Sequence, residues 1–321
     1  MGLHPSVRNV PDVRHGDRSA GRIHAEIVNN TVRKYTLIMI SGILWGTIGL
    51  FVKVLDSKGS SSEYTTFMRM TFAFLLLLTI TLVKEGTASF RVGKRTLLSC
   101  ALLGFVSMSL NNLCYTNAVS MLGMSLAAAI LYMAPIFTSI QSKLLFHERI
   151  GKSKLIALAA NVLGCMLAAT GGRLSFESVS VIGLLFGVGA AFAYSTQNIF
   201  GRLATDEASP FVVATYNFFF AAVFTLAVAR PFSSMRDPFD PQILMWGFLF
   251  GLIPTTIAYL LYFAGIQGLT ETSKVPVFCS LELVVATILG GLIFNENLPP
   301  ASLIGTALIL VSIMLMNRRT D

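Results

Sequence analysis

Charge is scarce in this sequence. Asp, Glu, Lys and Arg make up 12% of its 321 residues, about half the share of an ordinary soluble domain. Apolar residues supply 54%, more than a water-soluble core of this length requires, so the surplus must face lipid. Histidine is scarcer still. Of the four, His4, His15 and His24 lie in the polar first stretch and His147 lies in a loop, so no imidazole cluster is set up to hold a metal. Cys100, Cys114, Cys165 and Cys279 fall inside apolar runs with neither metal nor disulfide spacing, and read as small buried hydrophobes. A phosphate-cradling loop is missing too. Ile150-Gly151-Lys152-Ser153 ends like one, but Phe146 stands where its first glycine belongs, which excludes a nucleotide-driven pump. No cofactor and no metal are expected. The formal charge of +8 does not indicate nucleic acid, because the basic residues are dispersed over short loops.

What is present is a series of apolar runs of about 18 residues or more, each able to cross about 30 Å of hydrocarbon. Ten spans are expected, at 35–55, 63–84, 96–118, 123–146 and 152–170, then at 180–200, 210–230, 242–266, 273–294 and 300–317. The fold class is therefore all-α, a polytopic membrane protein whose partner is the lipid bilayer. Residues 1–34 are polar and read as a disordered cytoplasmic tail, because the first apolar run is too long for the core of a secretory signal. Lysine and arginine crowd one side of the spans (Arg33 and Lys34, Lys84 to Arg95, Lys143 to Lys154, Arg202, Lys274, Arg318 and Arg319). The other side has Lys53, Lys58, Arg173, Arg230 and Arg236. Both termini are accordingly expected in the cytoplasm.

The chain repeats itself. At an offset of 147 to 149 residues, 44–55 lies over 193–204, pairing Trp45 with Tyr194 and Lys53 with Arg202. Segment 103–120 lies over 250–267, pairing Gly104 with Gly251 and Tyr115 with Tyr262. Segment 136–150 lies over 284–298, pairing Phe146 with Phe294 and Glu148 with Glu296. The repeats are 35–170 and 180–317. Five spans per half is odd, so the halves insert in opposite directions, an architecture of secondary transporters in which substrate sits between the halves near the midplane.

Trp45 and Gly46 in the first span, Arg69 early in the second, and the paired segments CYTNAVSMLGMSLAAAILYMAPIFTSIQSKLLFHERI (114–150) and LYFAGIQGLTETSKVPVFCSLELVVATILGGLIFNENL (261–298) carry a family likeness. The chain resembles the drug/metabolite transporter superfamily, and within it the EamA-type ten-helix members, over about residues 35–317. It departs from the family's usual Leu-Glu-Pro in the second half, where Leu281, Glu282 and Leu283 stand; proline is kept only in the first half, as Pro135. The resemblance implies a carrier of small metabolites, often amino acids and related compounds, working mostly outward from a prokaryotic inner membrane.

One carboxylate, Glu282, lies about ten residues into its span, near mid-depth. With Cys279, Ala286 and Gly290 it falls on one small, polar helical face, which should pack inward. It reads either as a group for proton coupling or substrate-amine binding, or as a protonated lock between helices. Arg69 reads as a substrate-carboxylate clamp, or as a side chain snorkelling to the headgroups. Further candidates for a central cavity are Trp45; Asn111 and Tyr115, in a stripe with Ser107; Tyr132, beside Pro135; Tyr194 and Asn198, with Gln197; Tyr216; and Tyr259 and Tyr262, after Pro254. Such neutral hydrogen-bonders and rings suit a small polar or zwitterionic solute. Ala157, Ala160, Gly164 and Gly305 read as helix-packing residues. A nucleotide-sugar or sugar-phosphate exchanger would want several cavity cations, and only Arg69, with Lys274 at an inner end, offers charge. An intramembrane enzyme would need paired acids, a metal or a nucleophile with its base. Substrate identity and oligomeric state are not written in the sequence.

Overall fold

The computed structural model describes residues 16–173, 180–233, 237–295 and 297–317; among them every regular element is a helix. Among the described residues nine helices are long and apolar enough to cross a membrane. In the first half these are α1 (Asn29–Ser57), α2 (Ser62–Glu85), α3 (Lys94–Leu122), α4 (Met124–Phe146) and α5 (Lys152–Thr170). Between the halves' apolar helices runs α6 (Val181–Thr205), 25 residues long and so about 38 Å at 1.5 Å each. It is less apolar because Tyr194, Ser195, Thr196, Gln197 and Asn198 stand in its middle. The others are α7 (Pro210–Val228), α8 (Pro241–Ile266), α9 (Thr272–Phe294) and α10 (Pro300–Asn317). The protein is a multi-pass membrane protein.

The helix that becomes α1 starts at Gly16, so residues 16–34 are helical where a disordered tail was expected; residues 1–15 lie outside the described residues. Extending an existing span is propagation, without the cost of nucleation, and Ala20, Arg22, Ala25 and Glu26 favour helix.

The halves interlock. α1 packs on α9 as α6 packs on α4, α1 on α8 as α6 on α3, and α2 on α8 as α7 on α3, while α2 meets α7 and α5 meets α10. This pattern is unchanged when the halves are exchanged. Local details follow the same exchange. α3 and α8 each contain a widened π-helical turn, at Leu103–Leu110 and Leu252–Ile257. α4 breaks at Tyr132 and Met133 and α9 at Ser280. His147 (φ 54°) and Asn295 (φ 49°) end α4 and α9 in the left-handed conformation. The Arg202 guanidinium lies 3.9 Å over the Phe146 ring and the Lys53 ammonium 4.1 Å over the Phe294 ring, at opposite ends of the bundle. Leu144 and Leu292, another exchanged pair, are 70% and 76% exposed and face outward, where lipid lies.

Small residues set the closest approaches. A Cβ on Gly46 would sit 2.5 Å from Val285 Cβ and 2.7 Å from the Glu282 carbonyl, so glycine lets the broken middle of α1 lie on the backbone of α9. Gly164 and Gly305 let α5 and α10 touch: a Cβ on Gly164 would meet the Gly305 carbonyl and the Ile309 nitrogen at 2.9 Å. Of the small residues read as packing positions, Gly164 and Gly305 serve that purpose.

Candidate functional site

Two adjoining cavities lie in the middle of the bundle and share Trp45, Tyr194, Gln197 and Glu282. The larger, about 130 Å³, is bounded also by Arg69, Ser107, Met108, Asn111, Asn112 and Tyr259. The smaller, about 30 Å³, reaches Tyr132, Asn161, Cys165, Asn198, Cys279 and Ser280. Together they form one chamber walled by α1, α2, α3, α4, α5, α6, α8 and α9.

Each wall has a local cause. Glu282 sits in the first turn after the break at Ser280, which forms without the proline that accompanies the break in α4. The Ser280 hydroxyl instead donates to its own helix at the Val277 carbonyl (2.6 Å) and accepts from Asn161 Nδ2 (2.7 Å). Asn161 also donates to Ser312 Oγ at 3.0 Å, tying α5, α9 and α10 at this level. Tyr194 shares the walls of both cavities with Glu282. Trp45, at the break in α1, has its ring 5.0 Å from that of Tyr259 and 5.3 Å from that of Tyr262. The Arg69 guanidinium lies 5.2 Å over the Phe250 ring. Arg69 Nε, Trp45 Nε1 and Asn111 Oδ1 are buried with no partner among the described residues.

Of the residues singled out in the sequence, Trp45, Arg69, Asn111, Tyr132, Tyr194, Asn198, Tyr259 and Glu282 line this chamber. Tyr262 stands behind Trp45 and donates to Asn198 Oδ1 at 2.9 Å. Tyr216 is elsewhere: its hydroxyl donates to the Phe90 carbonyl at 2.9 Å, in the short turn between α2 and α3. Tyr115 is not among the lining residues. The stripe Ser107, Asn111, Tyr115 assumed a regular helix, and the π turn at Leu103–Leu110 rotates the rest of α3 about its axis. That rotation brings in Asn112, unnoticed in the sequence. Asn161, Cys165 and Ser280 were missed because they sit in plain helical context.

The two ends of the chamber differ. At the end of the bundle away from the chain termini, Asn112 also lines a vestibule of about 290 Å³ between the ends of α2, α3 and α7, with Ser62, Glu63, Thr116, Asn117 and Val228 in its wall. Toward the terminal end, Asn198 Nδ2 donates to Thr138 Oγ1 (3.2 Å). One turn beyond, the Arg202 guanidinium donates to Glu148 Oε1 (3.1 Å) and Thr272 Oγ1 (2.8 Å). Beside it, Glu271 is held by Lys154 and, at 2.7 Å, by Lys274. The chamber thus shares Asn112 with the vestibule at one end, while bonds between the halves lie across the other.

Burial alone would raise the Glu271 carboxyl, but the hydrogen bonds from Lys154 and Lys274 outweigh it and hold it below its ordinary value. Tyr35 also lies near it. A depressed folded value means the stabilisation is complete above the unfolded carboxylate pKa of about 4.3 and is lost as pH falls through the lower folded value. Glu271→Gln should therefore melt about 2 °C below the parent at neutral pH, the carboxylate being partly exposed. The two curves should converge in acid, as read by thermal unfolding in detergent across pH.

The EamA-like transporter family matches residues 32–170 and 181–318, one match for each half. The chain belongs to the EamA-like transporter family. It is thereby a member of the drug/metabolite transporter superfamily, and the transporter has relatives along its whole membrane region. An uncharacterized transporter of Archaeoglobus fulgidus is 26% identical over 279 residues, covering 87% of this chain and 94% of the relative. An uncharacterized inner membrane transporter of Salmonella typhimurium, YicL, is 22% identical, covering 87% and 93%. A riboflavin transporter of Vibrio cholerae is 25% identical over 185 residues, covering 58% and 59%. A solved crystal structure shares the fold with a TM-score of 0.71 at 18% identity, covering 88% of this chain and 96% of that one.

Proposed function

We propose that the transporter carries small zwitterionic metabolites, amino acids and related compounds, outward by alternating access. The observation that supports this reading is a single chamber bordered by Arg69 and by Glu282, with Trp45 Nε1 and Asn111 Oδ1 unpartnered in its wall. A substrate carboxylate satisfies Arg69 and the indole, and a substrate ammonium satisfies the Asn111 oxygen and Glu282. Such desolvated charges are costly inside a membrane unless paired. When no amine is bound, a proton neutralises Glu282, which makes this carboxyl the link to a proton gradient. With both termini in the cytoplasm of an inner membrane, the vestibule at Asn112 opens outward. A chamber of about 130 Å³ is smaller than the 300 Å³ or more of a typical ligand pocket, so this conformation is a contracted one and substrate enters by helix movement. Arg69 is the only cation in the chamber wall among the described residues, which favours a zwitterion over a nucleotide sugar or sugar phosphate.

Counterflow in proteoliposomes with a metabolite panel, beside thermal stabilisation of the purified protein, tests the reading. Arg69→Gln should weaken binding of an α-amino acid at least about ten-fold, the value of a charge-assisted hydrogen bond. The same substitution should leave the matching amino-acid amide nearly unchanged. Equal losses for acid and amide would overturn the carboxylate role. Planar heteroaromatic compounds belong in the panel, because Trp45 and Tyr259 offer stacking faces and a partial relative is named a riboflavin transporter.

A further inference from the structure

The geometry points to a gate at the terminal end of the bundle in which Glu148, from the first half, caps the start of α9, from the second, and is locked there by Arg202. It rests on the alternating-access reading and not on the identity of the substrate.

The sequence places the latch. α4 ends at Phe146, and His147 turns left-handed, with the Glu148 nitrogen on the Ser142 carbonyl at 3.4 Å. This turn sends the Glu148 side chain across the half-to-half boundary instead of into water. Its side chain is only 5% exposed. There Oε1 accepts from the Thr272 backbone nitrogen at 2.7 Å and Oε2 from that of Ser273 at 3.1 Å. The first N–H groups of a helix have no partner of their own and favour negative charge, so a carboxylate from the opposite half is the group that α9 requires. Arg202 completes the lock: it donates to Glu148 and to Thr272 Oγ1, and its plane covers Phe146.

Three properties make this a gate as well as a fastening. Every bond to the Glu148 carboxylate, from Thr272, Ser273 and Arg202, crosses between halves, so rocking of one half against the other must break them. It lies where water can rehydrate the separated charges, unlike the interior polar layer of Asn198, Thr138 and Tyr262. It is in direct mechanical connection with the chamber: Arg202 is one turn beyond Asn198 on α6, and Thr272 begins the helix that carries Glu282. Glu148 and Arg202 are thus positioning residues, which set the facing of the chamber without touching what it binds.

Ser142 is buried beneath the latch and its hydroxyl has no hydrogen-bond partner among the described residues, so Ser142→Cys is a mild reporter. In this background, thiol labelling by a small, charged, membrane-impermeant reagent added on the terminal side should be slow. The parent without S142C gives the native-cysteine background. Glu148→Ala should raise the rate at least about ten-fold, the size of an ordinary coupling, while Glu148→Asp, which keeps the carboxylate, should stay within about three-fold of the reporter. A rate in E148A equal to that of the reporter would overturn the gate. If E148A does not accumulate in the membrane, Arg202→Gln takes its place, with a rise of about five-fold expected and an unchanged rate again overturning it. Labelling needs no substrate, so a failure of the zwitterion reading leaves this result intact, and the converse holds for counterflow.

Discussion

Glu282→Gln should weaken binding of amine-bearing substrates at least about thirty-fold and remove the pH dependence of transport. Glutamine keeps the length and shape of the side chain, so the fold around Ser280 and Tyr194 should survive. What disappears is the only carboxylate in the chamber wall among the described residues. An ammonium group bound there would be desolvated without a counter-charge, and truncating one member of a buried, hydrogen-bonded charge pair costs about 2–5 kcal/mol. The lower end of that range is the thirty-fold quoted. Binding to purified protein at two pH values, with uptake driven by an imposed pH gradient, measures both effects. An amino acid and its deaminated analogue should lose their difference in the variant. Persistence of the pH dependence would remove the proton role and leave the amine role to be judged by the analogue.

Gly305→Leu should be the most destabilising substitution outside the chamber. A first carbon on Gly305 would already sit 2.6 Å from the Gly164 carbonyl, and a leucine adds three more. Overpacking of this kind costs about 1–3 kcal/mol in a core with room to adjust. Here the obstacle is backbone, so α5 and α10 must separate and lose their shared interface. We expect poor recovery of monodisperse protein and a melting temperature lower by about 5 °C or more. Leu303→Ala is the control. Its side chain is on the same helix but 53% exposed on the outward face, and it should melt with the parent.

Much of this was legible in the sequence because the governing signals are periodic. Ten helical runs, the two halves and the inward face of Glu282 follow from hydropathy and from the duplication. Eight chamber residues followed from asking which polar side chains stand deep in apolar runs. The rest depended on geometry that periodicity does not encode. Tyr115 was misplaced because a single π turn in α3 changes the phase of every later residue in that helix, and nothing in Leu103–Leu110 marks it as Pro254 marks its counterpart. Tyr216 is polar and deep enough in sequence, but its hydroxyl is absorbed by the Phe90 carbonyl. Glu148 stood out in the sequence only as the repeat counterpart of Glu296; its position depends on a left-handed histidine and on a helix start 124 residues away.

The exchange of α1 to α5 with α6 to α10 has an energetic consequence. If swapping the halves turns one facing into the other, the two end states are built from equivalent contacts, and their free-energy difference begins near zero without further tuning. Whatever preference the protein has for one side of the bilayer must then come from positions where the copies have drifted apart, such as Arg202 against Lys53 or Pro135 against Leu283. Each drifted pair acts as a weight on a balance that duplication levelled.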